Sequence, residues 1–81
     1  MSKTLDLYYY DSCPYCQKVL RAMRRLNIED KIVLKNILQS SAAAKTLVAV
    51  GGKRQVPCLF IDGVPMYESD DIVAYLEREF A

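Results

Sequence analysis

The stretch TLDLYYYDSCPYCQKVLRAMRRL, residues 4–26, changes its periodicity halfway along, and that change decides the fold. Residues 4–10 are β-rich and apolar on both faces apart from Asp6, as a central strand covered on both sides would be. Helical spacing then takes over. Cys16, Val19, Leu20, Met23 and Leu26 fall on one stripe, and Gln17, Lys18, Arg21, Arg24 and Arg25 fall on the other. Ser12 or Cys13 is placed to cap this helix, with Pro14 in its first turn.

The rest of the chain continues the alternation. KIVLKNI (31–37) predicts a second strand, and SSAAAKTLVAVGG (40–52) predicts a helix with serine caps and a glycine stop. VPCLFI (56–61) and VPMY (64–67) flank Asp62-Gly63, the best short signal for a tight hairpin. Ser69 is expected to cap a last helix that carries Asp70 and Asp71 in its first turn and Ile72, Tyr75, Leu76 and Phe80 on one face. No linker, repeat or low-complexity segment interrupts this order. The expectation is one α/β domain over residues 1–81, a four-stranded mixed sheet flanked by about three helices.

Composition narrows the chemistry. Of the 81 residues, 52% are hydrophobic, enough for a core without a disulfide scaffold. Eleven Lys and Arg against ten Asp and Glu give a net charge of +1, which argues against nucleic acid or an anionic membrane as partner. The opening MSKTLDLYYY lacks the apolar run of a signal peptide, and no stretch approaches a membrane span. A reducing, cytoplasmic setting is therefore expected, where cysteines are catalytic or metal-binding before they are structural. The chain contains no histidine, which excludes a His-based zinc site, a Cys-His pair and a Ser-His-Asp triad.

Cys13 and Cys16 stand two residues apart around Pro14 and Tyr15. A structural zinc normally needs four ligands, and only Cys58 could join the pair, so no metal is expected. A permanent disulfide fits poorly with a reducing compartment and so short a loop. A redox pair fits the local physics. Cys13 would sit where unpaired N–H groups and the positive helix end favour a thiolate, and Cys16, one turn on, returns to the same side. That order makes Cys13 the attacking thiol and Cys16 the resolving one. Cys58 lies in an apolar segment and reads as a buried thiol packing like a small hydrophobe, the alternative being a regulatory or oligomer-forming disulfide. Asp6 reads as an exposed or strand-end acid, the alternative being a buried proton relay.

The C-x-x-C at the opening of a helix in a βαβ unit resembles the thioredoxin-like redox motif. Cys13-Pro14-Tyr15-Cys16 more specifically resembles the motif of dithiol glutaredoxins, and the resemblance covers essentially the whole chain. Val56-Pro57 resembles that family's Thr-Val-Pro, in which the proline is cis. Residues 62–76, DGVPMYESDDIVAYL, are similar to the glutathione-binding stretch of glutathione transferase N-terminal domains, including their Glu-Ser pair at Glu68-Ser69. The chain departs from the glutaredoxin pattern at Tyr10, where many members carry lysine, and at Gln55, where threonine is usual.

The resemblance implies a thioredoxin-like fold and a glutathione-dependent thiol–disulfide oxidoreductase. Its substrates would be glutathionylated or disulfide-bonded proteins, with glutathione as co-substrate and a monomeric chain. Cys13 would carry the mixed disulfide, and Tyr15 would flank the sulfur. The backbone of Val56, before Pro57, would pair with the cysteinyl residue of glutathione. The amides of Ser69 and Asp70 would take its γ-glutamyl carboxylate, and Arg54 or Lys53 its glycine carboxylate. Three other readings stay open: a redoxin reduced by thioredoxin reductase, two protomers holding an iron–sulfur cluster through Cys13 and glutathione, and a glutathione-binding module without redox role.

Overall fold

Leu5–Tyr9 forms the strand announced by the opening stretch, and it lies in the interior of the sheet. The structure, a computed structural model, describes residues 3–81. Its order is β1 (Leu5–Tyr9), α1 (Pro14–Leu26), a 3-10 turn (Glu29–Lys31), β2 (Val33–Asn36), α2 (Ser41–Gly51), β3 (Cys58–Ile61), β4 (Val64–Tyr67) and α3 (Ser69–Phe80). The strands run in the order β2-β1-β3-β4. β1 pairs with β2 in parallel, and the β1–β3 and β3–β4 pairs are antiparallel. This is the expected thioredoxin-like mixed sheet with three helices.

Alternation along the strands divides the core in two. Leu5 and Leu7 of β1 and Leu59 of β3 pack with Val19 and Met23 of α1 and with Ile72, Tyr75 and Leu76 of α3. Tyr8, Cys58 and Phe60 point to the other face, against Ala43 and Leu47 of α2. Helices α1 and α3 therefore share one side, tied at the surface by an Arg25–Glu77 ion pair at 3.0 Å. The same alternation puts half-buried Asp6 on the α2 side, opposite the helix that carries Cys13 and Cys16. Neither a strand-end acid nor a relay beside the cysteines describes it.

Local signals explain most boundaries. Asn27 ends α1 in the left-handed region (φ 58°), with its N–H and that of Ile28 returned to carbonyls of the last turn. Ser40 caps α2, its Oγ accepting from the Ala43 amide at 3.1 Å, and Gly52 stops that helix at φ 87°. Asp62 and Gly63 both take positive φ (50° and 83°), as a two-residue turn between right-twisted strands requires. Asp62 also accepts from the Thr4 amide through Oδ1 at 2.7 Å.

Two boundaries differ from expectation. The third strand begins at Cys58, not Val56, because Pro57 has no N–H to give the ladder, and the Val56–Pro57 bond is cis. Ser69 does not cap α3. The chain passes from β4 into α3 through Glu68 alone, so Glu68, at φ 73° and without a side-chain capping bond, holds the cap position. Ser69 becomes the first helical residue and is buried. No helix among the described residues is long and apolar enough to cross a membrane.

Candidate active site

Cys13 is the cap of α1. Its backbone is extended (φ −83°, ψ 118°), Pro14 opens the helix, and the Cys16 amide donates to the Cys13 sulfur at 3.3 Å. Of the two cap candidates, Cys13 rather than Ser12 holds the position, since a sulfur at N-cap takes the donor that an oxygen would otherwise take. The Cys13 amide in turn donates to the Tyr10 carbonyl at 3.3 Å, anchoring the approach from β1. The sulfur thus accepts an N–H of the first turn and lies at the positive end of a 13-residue helix.

The two thiols are not equivalent. Both are unbridged, and Cys13 is 5% exposed whereas Cys16 is fully enclosed. Burial pushes the Cys16 thiol up to about 12. The hydrogen bond and charge of neighbouring Cys13 push the same way, and a backbone hydrogen bond from Tyr10 opposes them. Cys16 is therefore a neutral S–H at ordinary pH, held beside Cys13 and able to donate to a thiolate there. Cys58, on the opposite face of the sheet, is pushed up to about 11 by burial, against the pull of Tyr67, the Met66 backbone and Lys53.

A cleft of about 430 Å³ opens at Tyr15, which stands between the two cysteines in sequence. One wall is Gln55, Val56 and Pro57, leading into β3; the other is Glu68, Ser69 and Asp70, at the start of α3. Tyr15, 66% exposed and in the first turn of α1, also lines the cleft. The first amides of α3 have no acceptor within the helix, so this wall offers N–H donors and a positive dipole to an anionic group. The opposing wall offers the backbone of Val56, which lies outside the strand ladder.

Of the residues singled out by sequence, Cys13 and Cys16 come together, and Tyr15, Val56, Pro57, Ser69 and Asp70 line one cleft. Arg54 does not. It lines a separate apolar groove with Ala44, Lys45, Val48 and Ala49 of α2, because the chain between α2 and β3 turns at this point from the helix toward the sheet. Lys18 pairs with Asp70, joining α1 to the mouth of the cleft. Two wall residues were not anticipated as part of the site, Gln55 and Glu68, whose side chains meet across it at 3.4 Å. The sequence marks both only through the resemblance, Glu68 in the Glu-Ser pair and Gln55 in the place of a usual threonine, without giving either a role in the site.

Residues 7–81 match the family described as "Glutathione S-transferase, N-terminal domain". The chain is 35% identical to glutaredoxin 1 of Rickettsia prowazekii over 77 residues, which span 94% of this chain and 79% of that one. Its fold superposes on oxidised glutaredoxin 2 from Chlamydomonas reinhardtii with a TM-score of 0.70 at 23% identity, covering 96% of this chain and 75% of that one. It also superposes on a glutathione transferase family member from Pseudomonas fluorescens, solved with bound glutathione. There the TM-score is 0.82 at 24% identity, covering 96% of this chain but only 39% of the transferase.

Proposed function

We propose that this chain, which belongs to the glutaredoxins and carries the glutathione S-transferase N-terminal domain, uses glutathione to reduce glutathionylated and disulfide-bonded proteins. A thiol–disulfide oxidoreductase of glutaredoxin type is what its relatives establish. The choice of glutathione as reductant rests on the cleft at Tyr15, with a helix N-terminus on one wall and free backbone on the other. The observation that carries the reading is the Cys16 amide donating to the sulfur of Cys13 at the cap of α1.

In the reaction, the Cys13 thiolate attacks the glutathione sulfur of a protein mixed disulfide. The protein–glutathione S–S bond breaks, the protein sulfur leaves as a thiolate and takes a proton from water, and a Cys13–glutathione disulfide forms. Two exits follow. A second glutathione thiolate attacks the bound glutathione sulfur, releasing glutathione disulfide and restoring the Cys13 thiolate. Alternatively Cys16, losing its proton, attacks the Cys13 sulfur, expels glutathione and leaves a Cys13–Cys16 disulfide that two further glutathiones reduce.

Binding is assigned as follows. The Val56 backbone, before Pro57, pairs with the cysteinyl backbone of glutathione as an added strand would. The Ser69 and Asp70 amides take the γ-glutamyl carboxylate at the α3 N-terminus, and Tyr15 flanks the mixed disulfide. Arg54, which lines the groove against α2, or Lys53 takes the glycine carboxylate. The domain works as a monomer in a reducing compartment, the cytoplasm, where reduced glutathione is abundant.

The test is NADPH-linked reduction of a small glutathione mixed disulfide with glutathione and glutathione reductase, comparing wild type with Cys13→Ser. Thioredoxin reductase serves as the donor in a parallel reaction. Turnover with glutathione, abolished in the variant, supports the reading; turnover with thioredoxin reductase alone, or none, overturns it.

A further inference from the structure

The two walls of the cleft flank the β3–β4 hairpin, and besides the Gln55–Glu68 contact one side chain ties the second wall to the segment that leads into the first. Tyr67 is the last residue of β4. Its backbone is paired in register with Cys58, which directly follows Pro57 of the first wall, and Glu68 and Ser69 of the second wall come directly after it. Its hydroxyl donates to the carbonyl of Lys53 at 2.9 Å. Lys53 lies in the segment between α2 and β3, two residues before Gln55, and its ammonium sits 4.7 Å from the Tyr67 ring centroid.

The helix that leads into this segment is shaped around the same hydroxyl. A side chain at Gly51 would place its Cβ 2.2 Å from Tyr67 Oη and 3.2 Å from Cζ, so the hydroxyl reaches Lys53 through space that only glycine leaves open. Gly52 then turns the chain at φ 87°. Residues 52–57 contain no helix or strand, and between Gly52 and β3 the side-chain bonds that hold them among the described residues are Tyr67 to the Lys53 carbonyl and Gln55 to Glu68. Both are exposed, and the second is the longer, 3.4 Å against 2.9 Å.

We propose that Tyr67 is a positioning residue for the cleft: through its hydroxyl it holds the Gln55–Val56 wall at a fixed separation from the Ser69–Asp70 wall, and so sets the affinity for glutathione without touching it. The choice of ligand rests on the function proposed above; the hold on the segment does not. Tyr67 is suited to the task because its ring packs against the core on the α2 side, with the hydroxyl lying over Gly51.

The experiment pairs amide hydrogen exchange with steady-state kinetics on the 81-residue protein, as wild type, Tyr67→Phe, Gly51→Ala and the double variant. Tyr67→Phe keeps the ring and removes one hydrogen bond, a loss expected to raise the KM for glutathione about five-fold. Its kcat at saturation should stay within two-fold, and exchange should quicken at Gln55 and Val56 while the α1 and α3 cores stay unchanged. Gly51→Ala, outside the cleft, should reproduce the higher KM by displacing the hydroxyl, and should add little in the Tyr67→Phe background. Unchanged exchange at residues 53–56 in Tyr67→Phe, or a fall in kcat with KM unmoved, overturns the proposal. An inactive wild type whose segment still loosens in Tyr67→Phe establishes the hold on the wall and overturns glutathione as the ligand.

Discussion

The amide of Cys16 donates to the sulfur of Cys13 at 3.3 Å, and this one contact separates the roles of two chemically identical side chains. It directs a donor at Cys13, whose sulfur lies at the positive end of α1, while Cys16 is enclosed one turn further in. A thiolate on Cys13 is met by an N–H and a helix dipole; a thiolate on Cys16 would be met by apolar packing and the charge of its neighbour. Attack begins at Cys13 for that reason.

The asymmetry predicts a labelling order. At pH 7, iodoacetamide should modify Cys13 at least about ten-fold faster than Cys16 or Cys58, since the thiolate is the reacting form and the other two are enclosed and pushed up to about 12 and about 11. Peptide mapping of protein labelled without denaturant checks it. Rapid native modification of Cys58 would contradict its reading as a packed thiol and favour a regulatory role.

Replacing the enclosed thiol should divide the activities. Cys16→Ser is expected to keep reduction of small glutathione mixed disulfides, which needs Cys13 and a second glutathione alone. It should lose reduction of protein disulfides that requires a resolving thiol. A folded Cys16→Ser protein lacking both activities would show that the roles are wrongly assigned.

Alkaline stability follows from the same burial. Cys16 and Cys58 rise from an ordinary 9.0 to about 12 and about 11 on folding. Between pH 9 and those values the unfolded chain releases protons that the folded chain keeps. The stabilising contribution is therefore full below pH 9 and is lost as pH rises, with a limiting slope of about 1.4 kcal/mol per pH unit for each thiol. Urea unfolding of Cys58→Ala across pH 8 to 11 should show a shallower decline than wild type; an identical slope would contradict it.

The sheet interior should be far less tolerant than its edge. Leu7 is fully buried at the centre of β1, in register with Leu59 on one side and Leu34 on the other. Leu7→Ala should cost about 3 kcal/mol in denaturant unfolding, whereas Leu34→Ala, on the exposed edge strand, should cost less than about 1 kcal/mol. Equal costs would contradict the strand order.

The fold was legible because local chemistry and global topology agree at the decisive points. Cys13-Pro14 opens a helix, Ser40 caps one, Asn27 and Gly52 end two, and Asp62-Gly63 turns a hairpin, each through backbone geometry that the residue itself favours. Where tertiary connection overrides side-chain preference, sequence misleads. Ser69 is a better capping residue than Glu68, yet β4 runs into α3 with only Glu68 between them, so the cap falls one residue earlier. Val56 has strand propensity, but the ladder starts only after Pro57. At the site, the resemblance marks Gln55 only as a departure from the usual threonine and offers Arg54 or Lys53 for the glycine carboxylate, because periodicity says nothing about which way a loop faces. The contact between Tyr67 and Lys53, 14 residues apart, had no local signature at all.

The most direct test of the account is to locate the glutathione adduct. Cys16→Ser protein would be treated with glutathione disulfide at pH 7, without denaturant, and the modified cysteine mapped by mass spectrometry. The account predicts a single adduct on Cys13, formed faster than any reaction at Cys58 and discharged by added glutathione. An adduct on Cys58 alone, or none on a folded protein, would contradict Cys13 as the attacking thiol.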